Sequence, residues 1–461
     1  MSKDDFIKKF RLQAIIIMIL SFGSFLAPVP AENQTIKNLP GKEELFAAQK
    51  KAAEWIKAQI VPNAIVSDPA PARRRLLLSY RVPEEDPAYP YIYSRSFLYD
   101  NALGVVALTM MGEYHAAEYI LSAIRRQMLA DGSLWFVYNT HNSWPGEDDQ
   151  EGALIRTGSL AWFGYSIVYY LRVRLLENAN FLDTDTLARG YLEMAENIAS
   201  YIFSNQVKEP GDRRFGLVTG GWGDYEIGID LRTGTPVEDY VPSKVSWVSM
   251  EHNIDIYFFL KDLYSLTGKE KYMEGAELVK KGVLGLWSDE YGQFYRGIKA
   301  TGMVDAALPL DGASWGALFL LSIGEDQKAA NSLETLQRLF ISKHGRIKGY
   351  RPYELESVYE DERVNSYYYP ENPRMLWKEL PFVWGEGSCG AAAALIRCGK
   401  IREGAEVLNS MLLLRVGDGF RYASVKVPYQ FNDYPCVATT AWFVIAVELL
   451  KGRRVGMIFW D

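Results

Sequence analysis

The sequence predicts an all-α fold in which six helical hairpins close into a double ring, with acidic residues gathered at one mouth. Three observations predict it. Six stretches, beginning at Asp100, Thr157, Glu251, Asp311, Glu386 and Thr439, each open a helix at or near a carboxylate or hydroxyl residue. Four turns (GEYHAAEYI, GKEKYMEGAEL, GEDQKAANSL, GKIREGAEVL) set a charged residue behind Gly and an Ala a few residues into the next helix. Gly ends one helix there, and the small residue lets the second pack closely on the first. Finally, the first member of each pair is the more apolar (ALGVVALTMM, DIYFFLKDL, WGALFLLSI, CGAAAALI), whereas second members carry Lys, Glu and Arg on one face. That contrast assigns first members to an inner ring and second members to an outer one.

The elements follow in order. Residues 42–60 (KEELFAAQKKAAEWIKAQI) read as an amphipathic helix, and the Pro-rich stretch 61–92, with its RRR and EED runs, as a long surface connection. The first hairpin pairs 97–111 with 114–129 across Gly112, and the second 156–176 with 185–205. The third pairs 250–266 with 269–286 through Thr267 and Gly268, the fourth 311–322 with 325–341 through Gly324, and the fifth 385–398 with 401–415 through Gly399. A last helix at 437–451 has no partner after it, so the helix at 42–60 completes the sixth hairpin. Closure of this kind removes the apolar face that an open array leaves exposed. Four segments in which Gly and aromatic residues alternate (DGSLWFVYN, DEYGQFYRG, HGRIKGYRP, GDGFRYASV) read as short β-hairpins. Residues 207–248 and 343–384 read as long loops at the mouth.

Hydrophobic residues make up 48% of the 461 and charged residues 23%, which excludes a disordered chain. The repeat runs through nearly all of the sequence, so 32–461 is expected to form a single domain. Residues 1–31 read as an export signal. Lys8, Lys9 and Arg11 precede an apolar run from Ala14 to Leu26, and Val29 and Ala31 stand where a signal peptidase reads. An uncleaved anchor is the alternative, because Pro28 and Pro30 crowd the boundary. Cleavage after Ala31 removes four basic and two acidic side chains, taking the formal charge from -7 to -9. Such an acidic balance argues against nucleic acid or an anionic membrane as partner. Cys389, Cys398 and Cys436 are odd in number and lack a CxxC spacing, so they read as small buried hydrophobes rather than a disulfide framework.

The segments KVSWVSMEHNIDIYFFLKDLYSLTG, LPLDGASW and FVWGEGSCGAAAAL resemble a group of exported proteins with the six-hairpin, (α/α)6-toroid fold of many glycoside hydrolases. The resemblance covers roughly residues 42–455. It implies an exported enzyme that hydrolyses a polysaccharide or oligosaccharide without a cofactor. Because six-hairpin hydrolases are mostly inverting, it also implies paired carboxylates acting as acid and base.

In a ring of this kind the N-terminal ends of the inner helices face one mouth, where helix dipoles and free N–H groups favour negative charge. Asp100, Arg156 and Thr157, Glu251 with His252 and Asn253, Asp311, Glu386, and Thr439 with Thr440 stand at those ends. Capping alone accounts for an Asp there, at about 1 kcal/mol. Glu is a poorer cap, and Glu251 and Glu386 sit among aromatic residues and Gly, which suits burial and a raised pKa. Under the hydrolase reading, Glu251 is the expected general acid and Glu386 the base, with Asp100 in reserve. Asp311, His252 and Asn253 are expected to contact substrate. Trp222, Tyr225, Trp247, Trp315 and Trp384 are candidate stacking surfaces for sugar rings, as are Tyr367, Tyr368 and Trp377. Asp224, Glu226, Glu238 and Asp239 are alternative bases.

Other chemistry has less in its favour. The four His residues show no HExxH spacing for zinc, and GEDDQE at 146–151 lacks the ligand spacing of an EF-hand. A polysaccharide lyase is a competing reading, although the mouth acids would repel a uronate. A terpene-cyclase-like double ring would need a DxDD motif that the sequence lacks. A non-catalytic saccharide-binding protein would keep the fold and the aromatic residues without needing Glu251.

Overall fold

A computed structural model describes residues 39–141, 153–230, 232–428 and 430–461, so the export signal expected at 1–31 and the GEDDQE run lie outside the described residues. The inner ring consists of α2 (Leu98–Met110), α4 (Thr157–Glu177), α6 (Met250–Thr267), α8 (Leu310–Ser322), α10 (Gly385–Arg397) and α12 (Val437–Lys451). The outer ring consists of α1 (Lys42–Lys57), α3 (Tyr114–Arg125), α5 (Thr186–Ser204), α7 (Glu270–Leu284), α9 (Asp326–Leu339) and α11 (Ile401–Met411). Each inner helix packs on the next, and α12 returns to α2, so the ring is closed. Outer helices back their hairpin partners, and α1 backs α12 as the sequence predicts.

The two rings follow from composition. Every residue from Asp100 to Met110 is buried, as is every residue of α10 from Gly385 to Ile396 and of α12 from Val437 to Leu450. Outer helices bury one stripe only; α11, for example, buries Gly404, Ala405, Leu408 and Met411. Gly268 ends α6 at φ 63°, a left-handed turn that a side chain would strain. The second hairpin has no such Gly, and Asp185 caps α5 instead by accepting from the Ala188 N–H at 2.9 Å.

Polar contacts lock the seam where the ring closes. Gln49 of α1 donates from Nε2 to Val444 O at 2.9 Å and to Glu448 Oε2 at 3.1 Å. Glu448 is fully buried and is paired with Arg453, which offsets the cost of burying its charge.

Six helices around an axis leave a hole, and aromatic residues fill it. Trp162 of α4, Trp315 of α8 and Trp442 of α12 surround Trp460 with ring centroids 5.1, 5.5 and 6.0 Å away, while Phe258 of α6 stacks on it at 4.7 Å. Trp460 arrives from beyond α12. It is held by its own N–H, which donates to the Tyr165 hydroxyl at 2.9 Å, and by Arg397, which donates to Phe459 O at 2.7 Å.

Two β expectations need correction. The stretch 207–248 is not a loop throughout, since Gly221–Ile229 and Pro236–Val245 form a long antiparallel hairpin with Tyr225 opposite Tyr240. Its alternation of Tyr225, Ile227 and Ile229 with polar residues is hidden by glycines that suggest a loop. DGSLWFVYN does not fold on itself either: Val137–Asn139 pairs with Arg95–Phe97, the strand leading into α2. The other three short segments do contribute to hairpins, at Trp287–Phe294, Ile341–Tyr350 and Arg415–Arg421.

Trp460→Ala is expected to cost about 3–5 kcal/mol, because it empties a site that four inner helices share. Equilibrium denaturant unfolding of the variant beside the parent chain measures this.

Candidate active site

The inner helices deliver their first turns to one place. Asp100, Glu251, Asp311 and Glu386 come from α2, α6, α8 and α10, and each perturbs or is perturbed by at least one of the others. Asp100, Asp311 and Glu386 are only 5%, 5% and 8% exposed, so the carboxyls form one enclosed cluster, a well of acid groups at the mouth. Burial pushes Asp100 and Glu251 up to about 7 and Glu386 up to about 8. Asp311 is pushed well above the ordinary range, first by burial and then by the charges of Glu251 and Glu386.

A fifth carboxyl, Asp255, is absent from the sequence-based expectation. It lies one helical turn beyond Glu251 and is 3% exposed, and its Oδ1 has no hydrogen-bond partner among the described residues. Burial, then Glu251 and Asp311, drive its pKa well up. The sequence does carry a signal for it, since IDIYFFL is an inner-helix run with one charge in it.

The partners of these groups differ. The Ser79 hydroxyl and the Ala438 N–H, in the first turn of α12, lower the pKa of Asp100 against the upward effect of burial. Tyr99 donates to Glu386 Oε1 at 2.7 Å and lowers its pKa against the upward effect of burial. Ser314 donates to Asp311 Oδ1 at 3.5 Å. Glu251 accepts no hydrogen bond from the described residues, and burial alone accounts for its shift.

The remaining predicted residues divide into wall, floor and frame. His252 lies half-buried with its ring 5.7 Å from Trp247, and burial followed by the charge of Arg156 lowers its pKa to about 3, so it is neutral. It needs the bare backbone of Gly158, where a Cβ would fall 2.2 Å from its ring. Asn253 belongs to the frame. It is fully buried, and its Nδ2 donates to Val218 O and Ser249 O, so the structure does not bring it to the well. Thr157 donates to Thr219 O and Thr440 to Cys436 O, both fully buried.

Trp222 is 39% exposed on the long hairpin, and Tyr225 packs edge-on against Tyr240 at 5.8 Å. Trp247 donates from Nε1 to Asp224 at 2.8 Å, while Arg156 donates to Asp224 at 3.3 Å and to Trp222 O at 3.2 Å. Asp224 is therefore committed to holding the hairpin on the ring. Trp384 opens α10 half-buried beside Tyr422, and Trp315 lies in the axial cluster, its Nε1 without a partner among the described residues. Trp377 is 1% exposed in a satellite core with Tyr359, Phe382 and Phe431, which makes it packing and not a platform. Tyr367 and Tyr368 are exposed on the short helix Glu362–Tyr368, from which Arg363 reaches Ile227 O on the long hairpin at 2.6 Å. The two mouth segments therefore touch.

This geometry defines the class of the fold: a six-hairpin (α/α)6 toroid with a carboxyl-lined well at the N-terminal ends of its inner helices. Solved structures share the toroid fold. A D-mannose isomerase superposes with TM-score 0.55 and 12% identity over 89% of this chain and 97% of its own. A GH63 mannosylglycerate hydrolase from Thermus thermophilus gives 0.55 and 14% over 88% and 100%. A family 76 glycoside hydrolase from a bovine Bacteroides thetaiotaomicron strain gives 0.51 and 9% over 88% and 77%. At such identities the likeness is one of fold. No family model matches the sequence, and no curated protein does either. Among the described residues no helix is long and apolar enough to cross a membrane, and no group of three His, Cys, Asp or Glu is arranged to hold a metal.

Raised carboxyl pKa values have a thermodynamic signature. In the unfolded chain Glu251 and Glu386 ionise near 4.5, whereas in the fold they hold their protons to about 7 and 8. The folded state binds more protons between those limits, so stability falls as pH rises from 4.5 to about 8 and the loss then levels off. Glu251→Gln and Glu386→Gln are each expected to flatten this slope and to raise stability at pH 8. Denaturation midpoints across the range measure it, and a slope unchanged from the parent would show that the carboxyls are not enclosed.

Proposed function

We propose that the protein is an exported glycoside hydrolase acting on a polysaccharide or oligosaccharide, with Glu251 as general acid and Glu386 as general base. The observation that carries the reading is the asymmetry of the two glutamates in one well. Among the described residues Glu251 has no hydrogen-bond donor, and it keeps its proton by burial, which suits delivery to a leaving oxygen. Glu386 receives the Tyr99 hydroxyl, a contact that stabilises the anion and suits activation of water. Burial nonetheless lifts Glu386 to about 8, above the value of about 7 for Glu251. The active pair is therefore the minority proton arrangement, and activity is expected to peak between those two values. Inverting hydrolases hold such a pair about 6.5–9.5 Å apart, with water between the base and the sugar. Glu251 on α6 and Glu386 on α10 flank α8 in the ring, and both act on the pKa of Asp311 between them.

The remaining groups supply binding. Asp311 and neutral His252 are placed to hydrogen-bond sugar hydroxyls, and Trp222, Trp247 and Trp384 offer ring faces from half-buried to exposed positions. The partner is a neutral saccharide, because the neighbouring cations Arg156 and Arg296, which a uronate would need, are already paired with Asp224 and Asp305. Export follows from the sequence pattern of residues 1–31.

Incubation of residues 32–461 with a panel of saccharides in heavy-oxygen water, followed by mass spectrometry, tests the reading. Singly labelled, saturated fragments are expected, with activity reduced about 10²–10⁴-fold in Glu251→Gln and in Glu386→Gln. Proton NMR of the first-formed anomer is expected to show inversion. Unsaturated fragments would make the protein a lyase, and aldose–ketose interconversion without chain cleavage would make it an isomerase.

A further inference from the structure

Tyr99 lies beside the well on α2, next to the predicted candidate Asp100, and joins two helices that are not its own. The Trp442 indole of α12 donates from Nε1 to the Tyr99 oxygen at 2.9 Å. Tyr99 in turn meets Glu386 Oε1 of α10 at 2.7 Å. The indole fixes the direction of the first link, and an ionised Glu386, which can only accept, fixes that of the second. An indole N–H can only donate, so one lone pair of the phenol oxygen is occupied by the indole hydrogen. The phenol has one hydrogen of its own, and Glu386 is its acceptor among the described residues. A proton placed on Glu386 Oε1 would point at a hydroxyl already committed to donating toward it.

We infer that Trp442 and Tyr99 form a directional relay that orients Glu386 and favours its carboxylate form, which makes Tyr99 a positioning residue for the general base. The inference rests on the reading of Glu386 as base, but its geometry is independent of any substrate. Packing supports it. Trp442 is fully buried in the axial cluster 5.6 Å from Trp162, and the Tyr99 ring stands edge-on to Trp162 at 5.5 Å, so both members of the relay are fixed by the same indole. The other groups that face Glu386 do not stabilise its charge. Asp100 from α2, Glu251 from α6 and Asp311 from α8 oppose it, and Tyr80, Tyr422, Cys436 and Cys389 are held neutral by burial. Among the described residues, Tyr99 is thus the one side chain seen to favour the anion on Glu386.

Tyr99→Phe tests this, because it keeps the ring in place and removes only the hydroxyl. The readout is the pH dependence of folding stability in the full chain, taken as the difference between the parent and Glu386→Gln backgrounds so that only the titration of Glu386 remains. Loss of the hydroxyl is expected to raise the pH at which that difference levels off by about one unit, the equivalent of one hydrogen bond to a charged group. Trp442→Phe is expected to give a smaller shift in the same direction, since the freed phenol can then turn away. A loss of stability equal at all pH values, or the same shift in the Glu386→Gln background, would reduce Tyr99 to packing and overturn the relay. With a cleaved saccharide in hand, Tyr99→Phe is expected to lower kcat at low pH while leaving KM nearly unchanged. The stability shift together with an active Glu386→Gln enzyme would retain the relay and reject Glu386 as base.

Discussion

A closed ring of six helices cannot bring its inner side chains together on the axis without filling the space they enclose, and that constraint organises the molecule. The filling is aromatic: Trp162, Trp315 and Trp442 reach inward from three helices, and Trp460 is inserted among them from below with Phe459 and Phe258 against it. Because this plug seals the axis, the ring opens to polar groups at the N-terminal ends of its inner helices. The carboxyls stand at the mouth beyond the plug, and Trp442 connects the two, buried in the aromatic cluster and donating to Tyr99 beside Glu386.

The same arrangement explains how five carboxyl groups share so small a volume. Inner helices point their free N–H groups and positive dipole ends at the mouth, which favours negative charge there. Burial and mutual repulsion act against it and keep protons on the cluster. Enclosing these acids costs stability that neutral residues in their places would not. Asp100 differs from the others in that the Ser79 hydroxyl and the Ala438 N–H of α12 lower its pKa against burial.

Much of the fold is legible in the sequence because it is written locally. Gly268 and Gly399 mark turns that need a left-handed residue, and the contrast between all-apolar and one-sided helices separates the rings without reference to distant contacts. The carboxyls at helix starts are legible for the same reason. What escapes depends on contacts between residues far apart in the chain. Trp460 stands at the opposite end of the sequence from much of the ring it fills, and nothing local marks it as the plug. Tyr99 adjoins Asp100, yet its part comes from Trp442 and Glu386, brought in by ring closure. Trp377 reads as a platform because it stands in a Tyr- and Pro-rich stretch, and only packing with Tyr359 and Phe382 makes it core. Asp255 is within reach of the sequence, since a carboxylate inside an otherwise apolar inner helix has no capping task to explain it.

The axial plug also has an optical consequence. Four indoles from separate stretches of the chain stand within 5.1–6.0 Å of one another, close enough for their electronic transitions to couple. Their shared near-ultraviolet circular dichroism depends on ring closure and not on helix content. The toroid therefore carries its own spectroscopic reporter, one that distinguishes a closed ring from an open array of the same helices without any added label.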